Sequence, residues 1–165
     1  MINSPLPNAQ YRRFESFREY DALFDEWIPR TQNIIRVVDR ALPKSWNSSE
    51  RDNLLRQFLR ADPLNRLHVI VHEPGTIERE LPRIIELARD FGHAFKLRQT
   101  PKEARHLYDP FIVFDASHYL HRFHHAHMRA AIGTNDVEGA RQLLERHLEL
   151  WEVSQVVNLS TVSGL

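Results

Sequence analysis

The run Tyr108-Asp-Pro-Phe-Ile-Val-Phe-Asp115-Ala-Ser-His-Tyr-Leu-His-Arg122 constrains the fold more than any other part of the chain. Four consecutive apolar residues, Phe111 to Phe114, end on a carboxylate. A short apolar run bounded by turn formers reads as a strand. Asp115, Ala116 and Ser117 supply a turn. Polar residues then return at alternate positions, which is the period of a second strand. An antiparallel strand pair therefore sits late in the chain, and the architecture has to accommodate it.

The rest of the chain alternates between two periodicities. Phe17, Tyr20, Leu23, Phe24 and Trp27 recur at helical spacing between Phe14 and Arg30. Ile34 to Val38 is a β-branched run that stops at Asp39. Ser48 or Ser49 caps a helix with Leu54, Leu55, Phe58 and Leu59 on one face. Leu67 to Val71 is a strand followed by His72 and Glu73. Ile77 to Phe91 is helical in pattern, with Pro82 forcing a kink or a fresh start near Glu80. Ala94 to Arg98 is a third strand, and His124 to Ile132 fits no pattern. Asn135 with Glu138 resembles a capping pair for a last helix that ends near Glu152.

This order predicts an α/β fold: a mixed, mainly parallel sheet with helices on both faces. One domain is expected over residues 14–155, between a flexible tail over 1–13 and a C-terminal tail over 156–165. A chain of 165 residues is long enough to bury a core of its own. Formal net charge is zero, so no overall field draws it to nucleic acid or to an acidic membrane. Cysteine is absent, which excludes disulfides and thiol chemistry and fits a cytoplasmic location. No apolar run approaches the roughly 18 residues of a membrane span.

The late strand pair also carries a resemblance. The order of elements resembles one half of a phospholipase D-like domain, a superfamily whose halves carry H-x-K-x-x-x-x-D on a strand followed by a turn and a partner strand. Val113-Phe-Asp115 matches the aspartate end of that motif. Arg146-His-Leu-Glu-Leu-Trp151-Glu matches the pattern in which the last helix often ends. The resemblance covers roughly residues 17–154. It also extends to a small bacterial domain of this type, found alone or joined to acetyltransferase-like domains, and that likeness implies no activity.

The resemblance implies the scaffold but not the reaction. Counting back from Asp115 puts Tyr108 in the slot of the nucleophilic histidine and Pro110 in the slot of the phosphate-holding lysine. A phenol with an ordinary pKa near 10 is a poor nucleophile at neutral pH, and proline has no side-chain charge. His106 lies two residues before the histidine slot. Relatives with one half per chain pair across a two-fold axis, so a homodimer is implied as well.

Two constellations remain as candidate sites. Asp39, His72, Glu73 and Asp115 each follow an apolar strand, and in a parallel sheet such ends gather at one edge, where ligands bind. Tyr108, His118 and Arg122 join them in this reading. Asp115 with Arg122 could equally be a structural pair across the hairpin. Separately, His121, His124, His125 and His127 form a dense imidazole cluster of the kind that ligates zinc, nickel or copper when three or four ligands converge. Arg12, Arg13, Arg51, Arg56 and Arg60 are diluted by acids and read as solvated.

These observations lead us to expect a non-catalytic binding or regulatory domain without a cofactor. Its expected partner is a protein or a small polar ligand at the strand edge. The alternative is a phosphodiesterase-like or metal-dependent hydrolase using the His118–His127 segment. A nucleic-acid-binding module is a third option, although nucleic acid and membrane are not expected partners on charge alone.

Overall fold

Local signals start and stop the elements much as the sequence implies. The structure, a computed structural model, describes residues 8–105, 109–123 and 127–159. Its elements are β1 (Gln10–Phe14), α1 (Phe17–Trp27), β2 (Ile34–Asp39), α2 (Ser49–Ala61), β3 (Arg66–Val71), α3 (Gly75–Glu80), α4 (Pro82–Asp90), β4 (Phe95–Gln99), β5 (Phe111–Phe114), β6 (His118–Arg122), β7 (Ala130–Thr134), α5 (Val137–Val153) and β8 (Gln155–Val157). Ser48 caps α2 by accepting the Arg51 N–H at 3.1 Å. Pro82 sits in the first turn of α4 and separates it from α3, because proline fits a first helical turn and breaks an interior one. The last helix is capped by Asp136, whose carboxylate accepts the Gly139 N–H at 3.1 Å. Asn135, the residue expected there, instead takes a left-handed turn with φ of 53°.

The strands form one eight-stranded sheet in the order β1-β7-β6-β5-β2-β3-β4-β8. Only β2/β3 and β3/β4 are parallel; the other five pairings are antiparallel. The sheet is thus mixed, as expected, but mostly antiparallel rather than mainly parallel. The reason lies in strands that carry no strong signal of their own. β1 is exposed over four of its five residues, and β7 reads Ala-Ala-Ile-Gly-Thr. β1 forms by pairing with β7, Gln10 opposite Thr134 through Phe14 opposite Ala130, and β7 is held between β1 and β6. Residues Gln10 to Arg13, expected in a flexible tail, are therefore edge strand. Val156 and Val157, placed at the start of the C-terminal tail, belong to β8.

Helices cover both faces. Phe24, Leu55, Phe58, Ile77, Ile84 and Leu87 of α1 to α4 pack on Ile35, Val37, Leu67, Val69 and Phe114 of one sheet face. On the other face, Ala140, Leu143 and Leu150 of α5 pack on Val38, Ile70, Phe111, Val113 and Tyr119. The second layer contains a polar seam. Trp151 stacks on His68 of β3 at 4.5 Å and on His147 at 5.6 Å, and the Arg98 guanidinium lies 4.1 Å from the Trp151 ring. Burial, with Arg36 close by, pushes His68 down to about 4 and His147 down to about 3. The seam therefore docks α5 with both imidazoles neutral at physiological pH.

Candidate functional site

Strand direction decides which polar strand ends meet. β2, β3 and β4 deliver Asp39, His72 and Thr100 to one edge of the sheet. β5 runs against β2, so Phe111 rather than Phe114 lies beside Val38 at that edge. β6 then brings His121 opposite Phe111, with Arg122 next to it. Asp39, His72 and Arg122 consequently share an edge. Tyr108, the residue read into the histidine slot, lies outside the described residues, while Pro110 is buried just ahead of β5.

Asp39 occupies a position that disfavours its charge. It accepts the Arg40 N–H at 2.7 Å, yet burial pushes its carboxyl up to about 7. The Arg122 guanidinium opposes that shift and Asp21 adds to it. Tyr20, from α1, is next to this pair. Burial, more than the Asp39 charge, holds its phenol protonated well above the ordinary tyrosine range. Arg122 extends over the ring of Phe17, 4.9 Å from its centre, and Phe17 is itself 57% exposed. A carboxyl that titrates near neutrality beside a fixed cation is an unusual combination, and such groups concentrate at functional sites.

His72 is held differently. It is buried, with Nδ1 2.7 Å from the Thr100 hydroxyl. That hydroxyl donates to the Val71 carbonyl at 3.3 Å. Thr100 thus fixes the ring through Nδ1, and the role Nδ1 takes in that bond sets the opposite role for Nε2 of the neutral ring. Burial, reinforced by Arg40 and Arg105, lowers its pKa. At neutral pH His72 is thus an uncharged, oriented imidazole.

Asp115 does not belong to this edge. The antiparallel course of β5 carries it to the opposite end of the sheet, together with His118. Its carboxylate accepts the backbone N–H groups of Gln32 at 2.9 Å, Asn33 at 2.8 Å and Ile34 at 3.1 Å. Its own N–H donates to the Ile34 carbonyl at 2.9 Å. The residue adopts φ of 57° to do so, a conformation that aspartate tolerates better than most residues. Asp115 therefore clamps the entry to β2. The expected Asp115–Arg122 pair across the hairpin does not form, because Arg122 lies at the far end of β6 from the turn.

The imidazoles separate as well. His118 faces α1, 4.5 Å from the Trp27 ring, and accepts the Asn135 N–H on Nδ1 at 3.0 Å. His121 faces the other side, 4.6 Å from the Phe123 ring and with Nε2 3.7 Å from Asp109. Burial lowers the His121 pKa despite that carboxylate. His127 is exposed, and His124 and His125 lie outside the described residues. Among the described residues, no group of three or more His, Asp or Glu side chains is arranged to hold a metal ion.

Two participants escaped sequence reasoning. Tyr20 registered only as one apolar position in a helical stripe. Arg51, read as solvated, is 1% exposed. It is anchored by Asp25 at 2.7 Å and by the Ser45 hydroxyl at 3.2 Å, with the Phe24 ring 4.6 Å away. It ties α2 to α1 below the site.

An open mixed sheet, covered on both faces and carrying its polar set at the ends of β2 and β3, defines a phospholipase D-like fold. Solved structures agree. The chain is similar to Nuc, a phospholipase D family member from Salmonella typhimurium, with a TM-score of 0.68 and 14% identity over 92% of this chain and 99% of that one. It is similar to NucT from Helicobacter pylori, with a TM-score of 0.62 and 10% identity over 91% and 100%. It is also similar to TrmBL2, an archaeal chromatin protein, with a TM-score of 0.66 and 13% identity over 94% of this chain and 57% of that one. Such identities establish the shared fold. Within that fold, the chain belongs to the family described as a domain of unknown function, DUF7931, whose model matches residues 17–159. No curated protein matches the chain.

One expectation needs correction here. Nucleic acid was set aside as a partner on net charge, but the TrmBL2 structure displays a mode of DNA binding. A zero net charge is a property of the whole chain and says nothing about one face of it. Among the described residues, no helix is long and apolar enough to cross a membrane.

Proposed function

We propose that this domain is a non-catalytic binding module of phospholipase D-like fold. In this reading it takes a small polar ligand at the edge formed by Asp39, His72 and Arg122. The observation that carries the reading is the state of Asp39. Its carboxyl is held near neutrality by burial and stands beside the Arg122 guanidinium, at the edge reached by the start of β5. An acid that can lose its proton beside a permanent cation suits a ligand with both an anionic and a cationic end. Tyr108 and Pro110 in the two motif slots support the absence of turnover, since neither offers a neutral-pH nucleophile or a phosphate-holding cation.

Two measurements on tag-free protein test this reading. Hydrolysis of bis(p-nitrophenyl) phosphate is expected to stay at the buffer rate; turnover abolished by His72→Ala or His106→Ala would overturn it. Glycine and L-arginine, as zwitterionic probes, are expected to raise the melting temperature of the wild type but not of Arg122→Gln. Equal shifts in both proteins would remove Arg122 from the site.

A further inference from the structure

A second surface lies on the other face of the sheet, and one end of it reaches the same edge, where Ala130 stands opposite Arg122. Gly133 of β7 stands opposite Tyr11 of β1 on one side and opposite Tyr119 of β6 on the other. Ala131 stands likewise between Arg13 and His121. These residues share the sheet face that bears α5, because Tyr119 packs in the α5 layer. α5 lies over β2, β5 and β6, and leaves Tyr11 50% exposed and Arg13 exposed as well. The Tyr119 ring lies over Gly133, where a side chain would run into it, and Ala131 is buried too. At the end of this strip, Arg13, Phe14, Glu15, Phe123, Arg129 and Ala130 line a cavity of about 240 Å³. The Arg13 guanidinium lies 5.6 Å from the centre of the Phe123 ring. Glu15 is the acid in that lining, against Arg13 and Arg129.

We infer that this face of β1 and β7 binds single-stranded nucleic acid. Exposed rings on a sheet accept unpaired bases by stacking, while neighbouring guanidinium groups track the phosphates. Tyr11 is the exposed stacking platform, the half-buried Phe123 lines the cavity at the end of the strip, and Arg13 and Arg129 hold the backbone. A duplex keeps its bases paired and gains nothing from the rings. This inference does not rest on the edge ligand, since Asp39 and Arg122 lie on the α1 side of the sheet.

Fluorescence anisotropy with a labelled oligothymidylate and a duplex of equal length tests it. The single strand should bind more tightly than the duplex, and binding should weaken steeply as salt rises. Tyr11→Ser is expected to weaken single-strand binding roughly tenfold, as the loss of one stacked base would, and Arg13→Ser should reduce the salt dependence. Arg60→Ser, which removes a positive charge from α2 on the other face, should leave binding unchanged. Tyr11 is half exposed, so its substitution leaves the fold intact; circular dichroism checks that. Four results would overturn the inference: no binding at low salt, duplex binding as tight as single-strand binding, a loss at Arg60→Ser equal to that at Arg13→Ser, or a labelled polyglutamate peptide bound as tightly as the oligonucleotide.

Discussion

Asp39 and Asp115 end strands in the same way in sequence, each a carboxylate after an apolar run, yet the fold uses them oppositely. Asp115 meets three backbone N–H groups and is consumed by structure. Among the described residues Asp39 meets one, and burial leaves its charge poorly supported. A strand-end acid with a full set of donors is a clamp. One with too few donors retains capacity for a ligand. Motif position does not separate the two cases; the number of N–H groups facing each carboxylate does.

The clamp can be broken first. Asp115→Ala strips the acceptor from three N–H groups and leaves alanine with a positive φ. It should cost about 3 kcal/mol in urea unfolding. A cost below about 1 kcal/mol would mean that water replaces the carboxylate freely, and the contrast would weaken.

A smaller effect of opposite sign is expected at the other acid. The Asp39 pKa is raised on folding, so between about pH 4 and 7 the folded chain holds a proton that the unfolded chain has released. Stability contributed at acid pH is therefore lost as pH rises through 7. Asp39→Asn removes the ionisation. It should match the wild type near pH 4 and exceed it by about 2 kcal/mol at pH 8, allowing for partial exposure of the site.

The smallest effects come from the neighbours. Arg122→Gln withdraws the cation that lowers the Asp39 pKa and should move its titration further up. Asp21→Asn withdraws a like charge and should move it down. Each change should amount to about half a pH unit or so, read in the carboxyl carbon-13 shifts. Opposite signs from the two substitutions would establish that Asp39 senses both groups.

How much of this was legible in sequence follows from how local each cause is. The Ser48 cap and the Pro82 break act within a turn of chain and read directly. So did Asp39 and His72 as strand-end residues. Strand direction is a non-local property, and the parallel reading put Asp115 at the wrong edge. β1 and β7 were illegible because an exposed Gln-Tyr-Arg-Arg and a small-residue run become strands only by pairing across about 120 positions. Arg51 looked solvated because its partner Asp25 is 26 residues away on another helix. The fold class was legible through the match around Val113-Phe-Asp115 and the ending at Trp151, patterns that do not depend on which residues stand at 108 and 110.

The central claim concerns the protonation of Asp39 at an edge shared with Arg122. Its most direct test is a carbon-13 titration of the Asp39 carboxyl in the wild-type protein. The account predicts a midpoint near 7 that rises in Arg122→Gln. A midpoint near 4, unmoved by that substitution, would make Asp39 an ordinary solvated strand end and contradict the account.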